Sequence, residues 1–258
     1  MGETRMRMAK KSDVGRIRTV NEDRVFARTN GHHVTIAIVA DGMGGHQAGD
    51  IASLKATQTI QEHLIGLKQG LPGEVYKEQV REAIKKANQT VYQSSLQEEK
   101  YNGMGTTVVT TLISDQQVVI GHIGDSRAYH YRAGVLTQLT EDHSLVNELV
   151  KSGQITAEEA KHHPRRNVLV RALGTDAEVE VDVQAFTWLP EDLLLLCTDG
   201  LSGMLGYDGI LNILRENKHI DQMVNQLVEG ALAAGGDDNV TVILLANVEH
   251  QEESGVKS

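Results

Sequence analysis

The sequence predicts a single domain of the α+β class, and three observations carry that expectation. Apolar runs of strand length, rich in Val, Ile and Leu, recur at 34–40, 118–123, 193–197 and 240–246. Turn signals, Asn30-Gly31 and Ala133-Gly134, stand between neighbouring strand-like segments, which therefore pair as antiparallel hairpins. Long segments with apolar residues at helical spacing occupy 46–98 and 207–234. No Pro-, Ser- or Gly-rich linker divides the 258 residues, a length sufficient for a substantial core.

Composition narrows the functional classes. The chain carries 35 acidic and 25 basic residues, a net charge of −10, which argues against an electrostatic nucleic-acid binder. The same excess permits a cluster of acids whose repulsion bound cations relieve. Aromatic residues make up only 3%, too few for a base-stacking platform. No apolar run approaches the roughly 18 residues of a membrane span, and Met1–Met6 lacks the apolar heart of a signal peptide. One cysteine excludes an intrachain disulfide. These features predict a cytoplasmic location, with no membrane or nucleic-acid partner. Cys197 itself, inside a run of leucines, reads as a small buried hydrophobe.

Taken in order, the chain opens on an expected strand over Met6–Asp13. Residues 15–24 then bring two arginines around Asn21-Glu22-Asp23. This stretch is either a charged turn, or a site in which Asp23 binds metal and Arg18 binds an oxyanion through its planar fork of donors. A strand-like Val25–Ala27 and the Asn30-Gly31 turn lead into the buried run Val34–Ala40, which ends on Asp41. Gly42-Met43-Gly44-Gly45-His46 follows, and its glycines let backbone come close to a ligand. Asp41 is therefore expected at a strand end, on the lip of a cleft suited to a hard cation or a phosphate. Helices are expected over 46–66 and over Glu74–Glu98, separated by Leu71-Pro72-Gly73, both lying on one face of a sheet.

Thr106–Ile113 has strand composition and turns at Ser114-Asp115-Gln116 into Val118–Ile123, which closes on Gly124-Asp125-Ser126-Arg127. A hairpin about Ala133-Gly134 follows, then a helix entry with Asp142 as candidate cap. Residues 144–175 form a polar, basic excursion with short helical pieces near 144–152 and 156–161. His162 and His163 face apart as neighbours, so they are not expected to chelate. Val179, Val181 and Val183 alternate with acids, the pattern of a half-exposed strand. The buried run Leu193–Cys197 ends in Thr198-Asp199-Gly200. Helices over Tyr207–Glu216 and Ile220–Ala234 lead to Gly235-Gly236-Asp237-Asp238-Asn239 and a last strand, Val240–Ala246.

Each Asp-Gly or Gly-Asp is by itself ordinary turn chemistry. Yet Asp23, Asp41, Asp125, Asp199 and Asp238 all stand at boundaries of apolar strands, whose ends converge if the strands form layers of one core. Carboxylates without a cysteine ligand or a histidine pair favour Mg²⁺, Mn²⁺ or Ca²⁺ over Zn²⁺. Their supply from separated strands is that of two-metal hydrolytic sites.

Six motifs then appear in a familiar order. Arg18-x-x-Asn21-Glu22-Asp23, Asp41-Gly42-Met43-Gly44-Gly45-His46, Gly105-Thr106-Thr107, Gly124-Asp125-Ser126-Arg127, Asp199-Gly200 and Gly236-x-Asp238-Asn239-x-Thr241 resemble the metal-dependent serine/threonine phosphatases of the PPM type, also called type 2C. The resemblance spans about residues 8–246, and the compact length and Met43 are similar to bacterial members. It implies a four-layer α/β/β/α sandwich, two packed antiparallel sheets flanked by helix pairs, over residues 1–258 as one catalytic domain with a flap at about 144–175. It implies two tightly bound Mn²⁺ or Mg²⁺ ions and a weaker third. Asp41 would bridge the two, with the Gly42 carbonyl beside it. Asp199 and Asp238 would hold the first, and Asp23 with Glu22 would act on the second, largely through water. Arg18 would grip the substrate phosphate, and Asp125 with Asp199 matches the third position. Asn239 and His46 are expected just outside the ligand set.

Met43 marks a departure. Eukaryotic members often carry a histidine there, proposed as general acid, and methionine has no proton to give. Asp125 also has plainer readings: it could cap a turn, pair with Arg127 or adjust the local field. By resemblance the substrates are phosphorylated proteins, the opposing partner is a serine/threonine kinase, and the chain is a monomer. An inactive phosphoprotein-binding relative would have lost metal acids, and all are present here. A purely structural cation module would not need Arg18.

Overall fold

The alternation of apolar runs and turns builds two antiparallel sheets packed face to face. The structure, a computed structural model, describes residues 5–44, 48–216 and 218–248. The first sheet contains β2 (Asp23–Thr29), β3 (Thr35–Met43), β5 (Val108–Ser114), β6 (Gln117–Ile123) and β9 (Asp182–Thr187), in the order β2-β3-β5-β6-β9. The short β4 (Gly105–Thr106) extends it by pairing with the end of β3. The second sheet contains β1 (Arg5–Asp13), β7 (Arg127–Arg132), β8 (Val135–Gln138), β10 (Leu193–Cys197) and β11 (Val240–Val248), in the order β1-β11-β10-β7-β8.

Helices cover the outer faces. On the first sheet lie α1 (Ala48–Leu64) and α2 (Gly73–Gln97), and on the second α5 (Asp199–Arg215) and α6 (Ile220–Ala233). Two short helices, α3 (Leu145–Lys151) and α4 (Ala157–Lys161), belong to the 144–175 excursion.

Side-chain alternation along each central strand sorts the residues into three apolar layers. On β3, Ile36 and Ile38 pack against α1 and α2, while Ala37 and Val39 face the other sheet. On β11, Val242 and Leu244 meet α5 and α6, while Ile243 and Leu245 face inward. Strands buried on both faces must be apolar throughout, which explains the unbroken runs. The four-layer α/β/β/α expectation is borne out.

Several local expectations need correction. Asp41 lies inside β3, not at its end, because Gly42 and Met43 continue the ladder onto β4. The Asn30-Gly31 turn is longer than a two-residue hairpin loop. Asn30 Oδ1 accepts from the backbone N–H of His32 and Val34, its Nδ2 donates to the carbonyls of Ile65 and Leu67, and His33 takes the positive φ of 58°. Asp142 does not cap α3; Ser144 does, and the two Asp142 carboxylate oxygens instead accept from Nε and Nη2 of Arg127. Val179 and Val181 precede β9 as irregular chain. Their side chains pack on the α1/α2 core, while Asn88 of α2 donates to the carbonyls of Asp176 and Ala177. Helix α5 begins at Asp199, earlier than the periodicity suggests, and kinks at Gly206, where φ is 61° and ψ −176°.

Candidate metal centre

The antiparallel layering brings the end of β1, the start of β2, the end of β3, the β6–β7 turn, the end of β10 and the start of β11 to one edge of the sandwich. Asp23 and Asp41 are direct cross-strand partners on β2 and β3. Asp41 shares the face of Ala37 and Val39, so both carboxylates point between the sheets. Asp199 joins them from the first turn of α5, Asp125 from the β6–β7 turn and Asp238 from the loop before β11.

Hydrogen bonds hold each carrier in place. Thr198 stands at the β10–α5 junction, and its hydroxyl donates to Asp23 Oδ2 at 2.9 Å while accepting the Thr241 N–H at 3.0 Å. Thr241 in turn shares a 2.7 Å bond with Ser12 of β1. The Asp41 N–H donates to the Thr107 hydroxyl at 3.1 Å, and the Asp41 carbonyl accepts from the Thr107 N–H at 2.8 Å. Asn239 is the tie between loops. Its Oδ1 accepts from the Glu22 N–H at 2.8 Å, and its Nδ2 donates to the carbonyls of Val14 and Val20. Gly42 presses its backbone on the first turn of α1: a Cβ there would fall 2.0 Å from the Gly49 carbonyl oxygen, so no other residue fits.

Like charges in a dry place shift these groups strongly. Burial, with Asp199 and Asp238 adding to it, raises the Asp23 carboxyl to about 7, against the pull of the Thr241 and Thr198 hydroxyls. Burial and the Asp23, Asp199, Asp125 and Asp238 charges hold Asp41 well above the ordinary carboxylate range. Asp199 is raised by burial and by Asp238, and Asp125 to about 7 by burial and by Asp199. Glu22 is raised by burial too, with Arg18 opposing. Asp23, Asp41, Asp125 and Asp199 thus feel one another's charge, and the Asp238 charge acts on three of them.

The oxygens also fit a cation. Asp23 Oδ1, Asp199 Oδ1 and Glu22 Oε1 are buried with no hydrogen-bond partner. An orphaned buried carboxylate oxygen is costly unless a cation completes it. The donors are all oxygen, the choice of Mg²⁺ and Mn²⁺.

Arg18 stands at the mouth, its side chain 49% exposed, with one terminal nitrogen 2.8 Å from Asp238 Oδ2. Asp237 is exposed, whereas Asp238 turns inward toward Arg18. His46 lies outside the described residues. Cys197 is fully buried beneath the site, and burial pushes its thiol up to about 12, so it is no nucleophile. Sequence reasoning missed the threonines. Thr198 had a signal, a hydroxyl directly between a buried strand and Asp-Gly. Thr107 stood in the Gly105-Thr106-Thr107 motif, but its role was hidden because its partner, the Asp41 backbone, is 66 residues away.

A second cluster lies behind the Asp125 turn. His122, His143 and Asp182 place their ligand atoms within 4.8 Å of one another, and burial pushes both imidazoles below their ordinary range.

A family model described as protein phosphatase 2C matches residues 16–244. The serine/threonine phosphatase stp of Listeria monocytogenes is 41% identical over 235 residues, covering 91% of this chain and 93% of that protein. Protein phosphatase PhpP of Streptococcus pneumoniae is 39% identical over 94% of this chain and 98% of its own length. Among solved structures, the S. agalactiae serine/threonine phosphatase superposes with a TM-score of 0.89 at 36% identity, over 95% of this chain and all of that one. The catalytic domain of PstP, in complex with two manganese ions, gives 0.83 at 36% identity over 95% and 99%. Two antiparallel sheets between helix pairs, matched over nearly the whole chain by these structures, thus define a phosphatase fold. The chain belongs to the protein phosphatase 2C family.

Proposed function

We propose that this serine/threonine phosphatase of the 2C type hydrolyses phosphoserine and phosphothreonine in proteins, with Mn²⁺ or Mg²⁺ held by Asp41, Asp23, Asp199 and Asp238, the Gly42 carbonyl and, through water, Glu22. The observation that carries the reading is the convergence of five aspartates in one field with three orphaned carboxylate oxygens. When bound, such cations make water acidic enough to attack at neutral pH and neutralise the transferring phosphoryl group. The chain's own residues do the positioning. Thr198 fixes Asp23, Thr107 fixes the backbone of Asp41, and Asn239 fixes the loops that carry Glu22 and Asp238. Arg18 binds the phosphate oxygens from the open side, its planar fork exchanging Asp238 for substrate. Asp125 serves a weaker cation together with Asp199. Residues 144–175 form a flap within one catalytic domain.

Phosphate on serine or threonine has to be placed there by a kinase, so a serine/threonine kinase acts on the same proteins. Among the described residues no helix is long and apolar enough to cross a membrane. A cytoplasmic monomer belongs to the same reading, and sedimentation of the purified chain tests the monomer.

The deciding experiment is hydrolysis of a phosphothreonine peptide with Mn²⁺ and with EDTA, for the native chain and for Asp41→Asn and Asp238→Asn. Turnover is expected to vanish in EDTA and to fall at least 100-fold in both variants, while circular dichroism is preserved, because each swap keeps volume and removes ligand charge; outer-shell changes alone typically cost about 10–100-fold. Normal turnover by Asp41→Asn would refute the bridging role.

A further inference from the structure

His143 sits where the 144–175 excursion begins. Its backbone N–H donates to the Gly124 carbonyl at 2.9 Å, and its Nδ1 accepts the Gly124 N–H at 3.1 Å. One residue therefore holds both backbone polar groups of the glycine that precedes Asp125. Gly124 has a φ of 101°, and a Cβ there would fall 2.6 Å from the Thr107 side chain, so the turn has one shape available.

Because Nδ1 accepts, the neutral ring carries its proton on Nε2. Nε2 lies 3.2 Å from Asp182 Oδ2, and the other oxygen of Asp182 accepts from Arg171 at 3.1 Å. The His143 carbonyl accepts the Val170 N–H at 2.9 Å. His122 stacks on the ring, centroids 4.7 Å apart, and its Nε2 is 2.9 Å from the Glu141 carbonyl. The His143 side chain is 1% exposed and both its nitrogens are engaged. The cluster is compact enough for a cation, but a cation on His143 Nε2 would need the ring proton on Nδ1, where the Gly124 N–H already points. The hydrogens favour a relay over a metal site.

We propose that His143 is the positioning residue for Asp125: through Gly124 it sets the direction of the Asp125 carboxylate, and through Asp182, Arg171 and Val170 it ties that direction to the exit limb of the excursion. The proposal rests on the reading of Asp125 as a cation ligand. The same limb runs on to Leu173, which exchanges backbone bonds of 3.0 and 2.9 Å with Thr106, whose hydroxyl donates to the Asp41 carbonyl at 2.8 Å. The excursion is thus fastened between the Asp125 turn and the Asp41 strand, and a displacement of its exit limb re-aims Asp125.

Two substitutions separate the halves of the relay. In His143→Asn the side-chain oxygen stands near the Nδ1 position and can still accept from Gly124. In His143→Gln the amide nitrogen reaches toward Asp182, and the acceptor for Gly124 is lost. In the EDTA-treated native chain, ¹⁵N shifts of the ring are expected to report the Nε2–H tautomer, and amide exchange at Gly124 to be slow. Exchange at Gly124 should stay slow in His143→Asn and become fast in His143→Gln. The Mn²⁺ concentration for half-maximal phosphopeptide turnover should rise roughly 10–100-fold in His143→Gln, as in Asp125→Ala, with two tight ions retained by calorimetry. An Nδ1–H tautomer in the native chain overturns the proposal without any variant. So does an unchanged Mn²⁺ requirement in folded His143→Gln when Asp125→Ala raises it. If Asp125→Ala leaves the requirement unchanged, Asp125 is no ligand, and both readings fall together.

Discussion

Single residues in this site act through charge more than through shape. Arg18 is the clearest case, since half of its side chain is open and its one partner is an acid of the cluster. If Arg18 binds the phosphate as proposed, Arg18→Ala removes that contact without touching Asp41 or Asp23. A hydrogen bond to a charged group contributes about 1.5–3 kcal/mol, so KM for a phosphopeptide should rise roughly tenfold or more while kcat falls less. Initial-rate kinetics at saturating Mn²⁺ check this, and an unchanged KM would assign Arg18 to structure. Asp125 carries a pH prediction. Its folded carboxyl is raised to about 7 from an ordinary 3.8. The folded chain thus holds this proton more tightly than the unfolded one. The group's stabilising contribution is full below about pH 4 and is lost as pH rises through about 7. Asp125→Asn mimics the protonated form. With EDTA present, its melting temperature relative to the native chain should climb between pH 5 and pH 8. Saturating Mn²⁺ at the upper pH should remove or reverse that advantage. A difference that does not vary with pH would show that Asp125 ionises freely.

At the scale of elements, the junctions hold the site and the strands supply rigidity. Thr198 joins β10 to α5 and reaches across the sheets to β2 and β11 in one hydroxyl. Thr198→Val keeps the shape and strands a buried N–H and a carboxylate oxygen. Each loss costs about 1–3 kcal/mol, and a chain of this length loses about 2–4 °C per kcal/mol. Thermal melting should show a fall of several degrees, and calorimetry a weaker Mn²⁺ site, because Asp23 loses its orientation. A variant with native melting and native metal affinity would leave the hydroxyl without a role. The β3–β4 ladder makes the same point through backbone. Carrying Asp41 two residues inside a paired strand gives its carboxylate less freedom than a loop would.

For the whole molecule, the sandwich separates stability from chemistry. The inner layer, with Leu194, Leu245, Ile120 and Trp188, holds the sheets together away from the acidic edge. Leu245→Ala should cost about 2–5 kcal/mol by transfer and cavity terms. Its metal affinity at a temperature where it is folded should match the native chain, since distant sites add independently. A large loss of affinity would mean that sheet spacing itself tunes the acids. Divalent ions should in turn raise the melting temperature of native and Leu245→Ala proteins alike, because they bind the gathered acids and not the dispersed ones.

The amino-acid sequence by itself determined the class of fold, most of the strands and helices, and the five aspartates. Two-residue and 3.6-residue periodicities are local properties, and a buried strand has to be apolar whatever lies beside it. The six motifs carried the family for the same reason, since their residues are contiguous. What tertiary structure decided is everything that depends on a partner distant in sequence. Asp41 sits inside a strand because Gly105–Thr106 lies alongside. The 179–181 alternation is not strand, because its valines pack on the helices and Asn88 holds the neighbouring carbonyls. Asp142 answers Arg127 and not a helix end. His143 meets Gly124 and Asp182 only once β6, the excursion and β9 converge. Spacing along a chain shows which groups can share a face, whereas the packing of separate layers selects which of them touch.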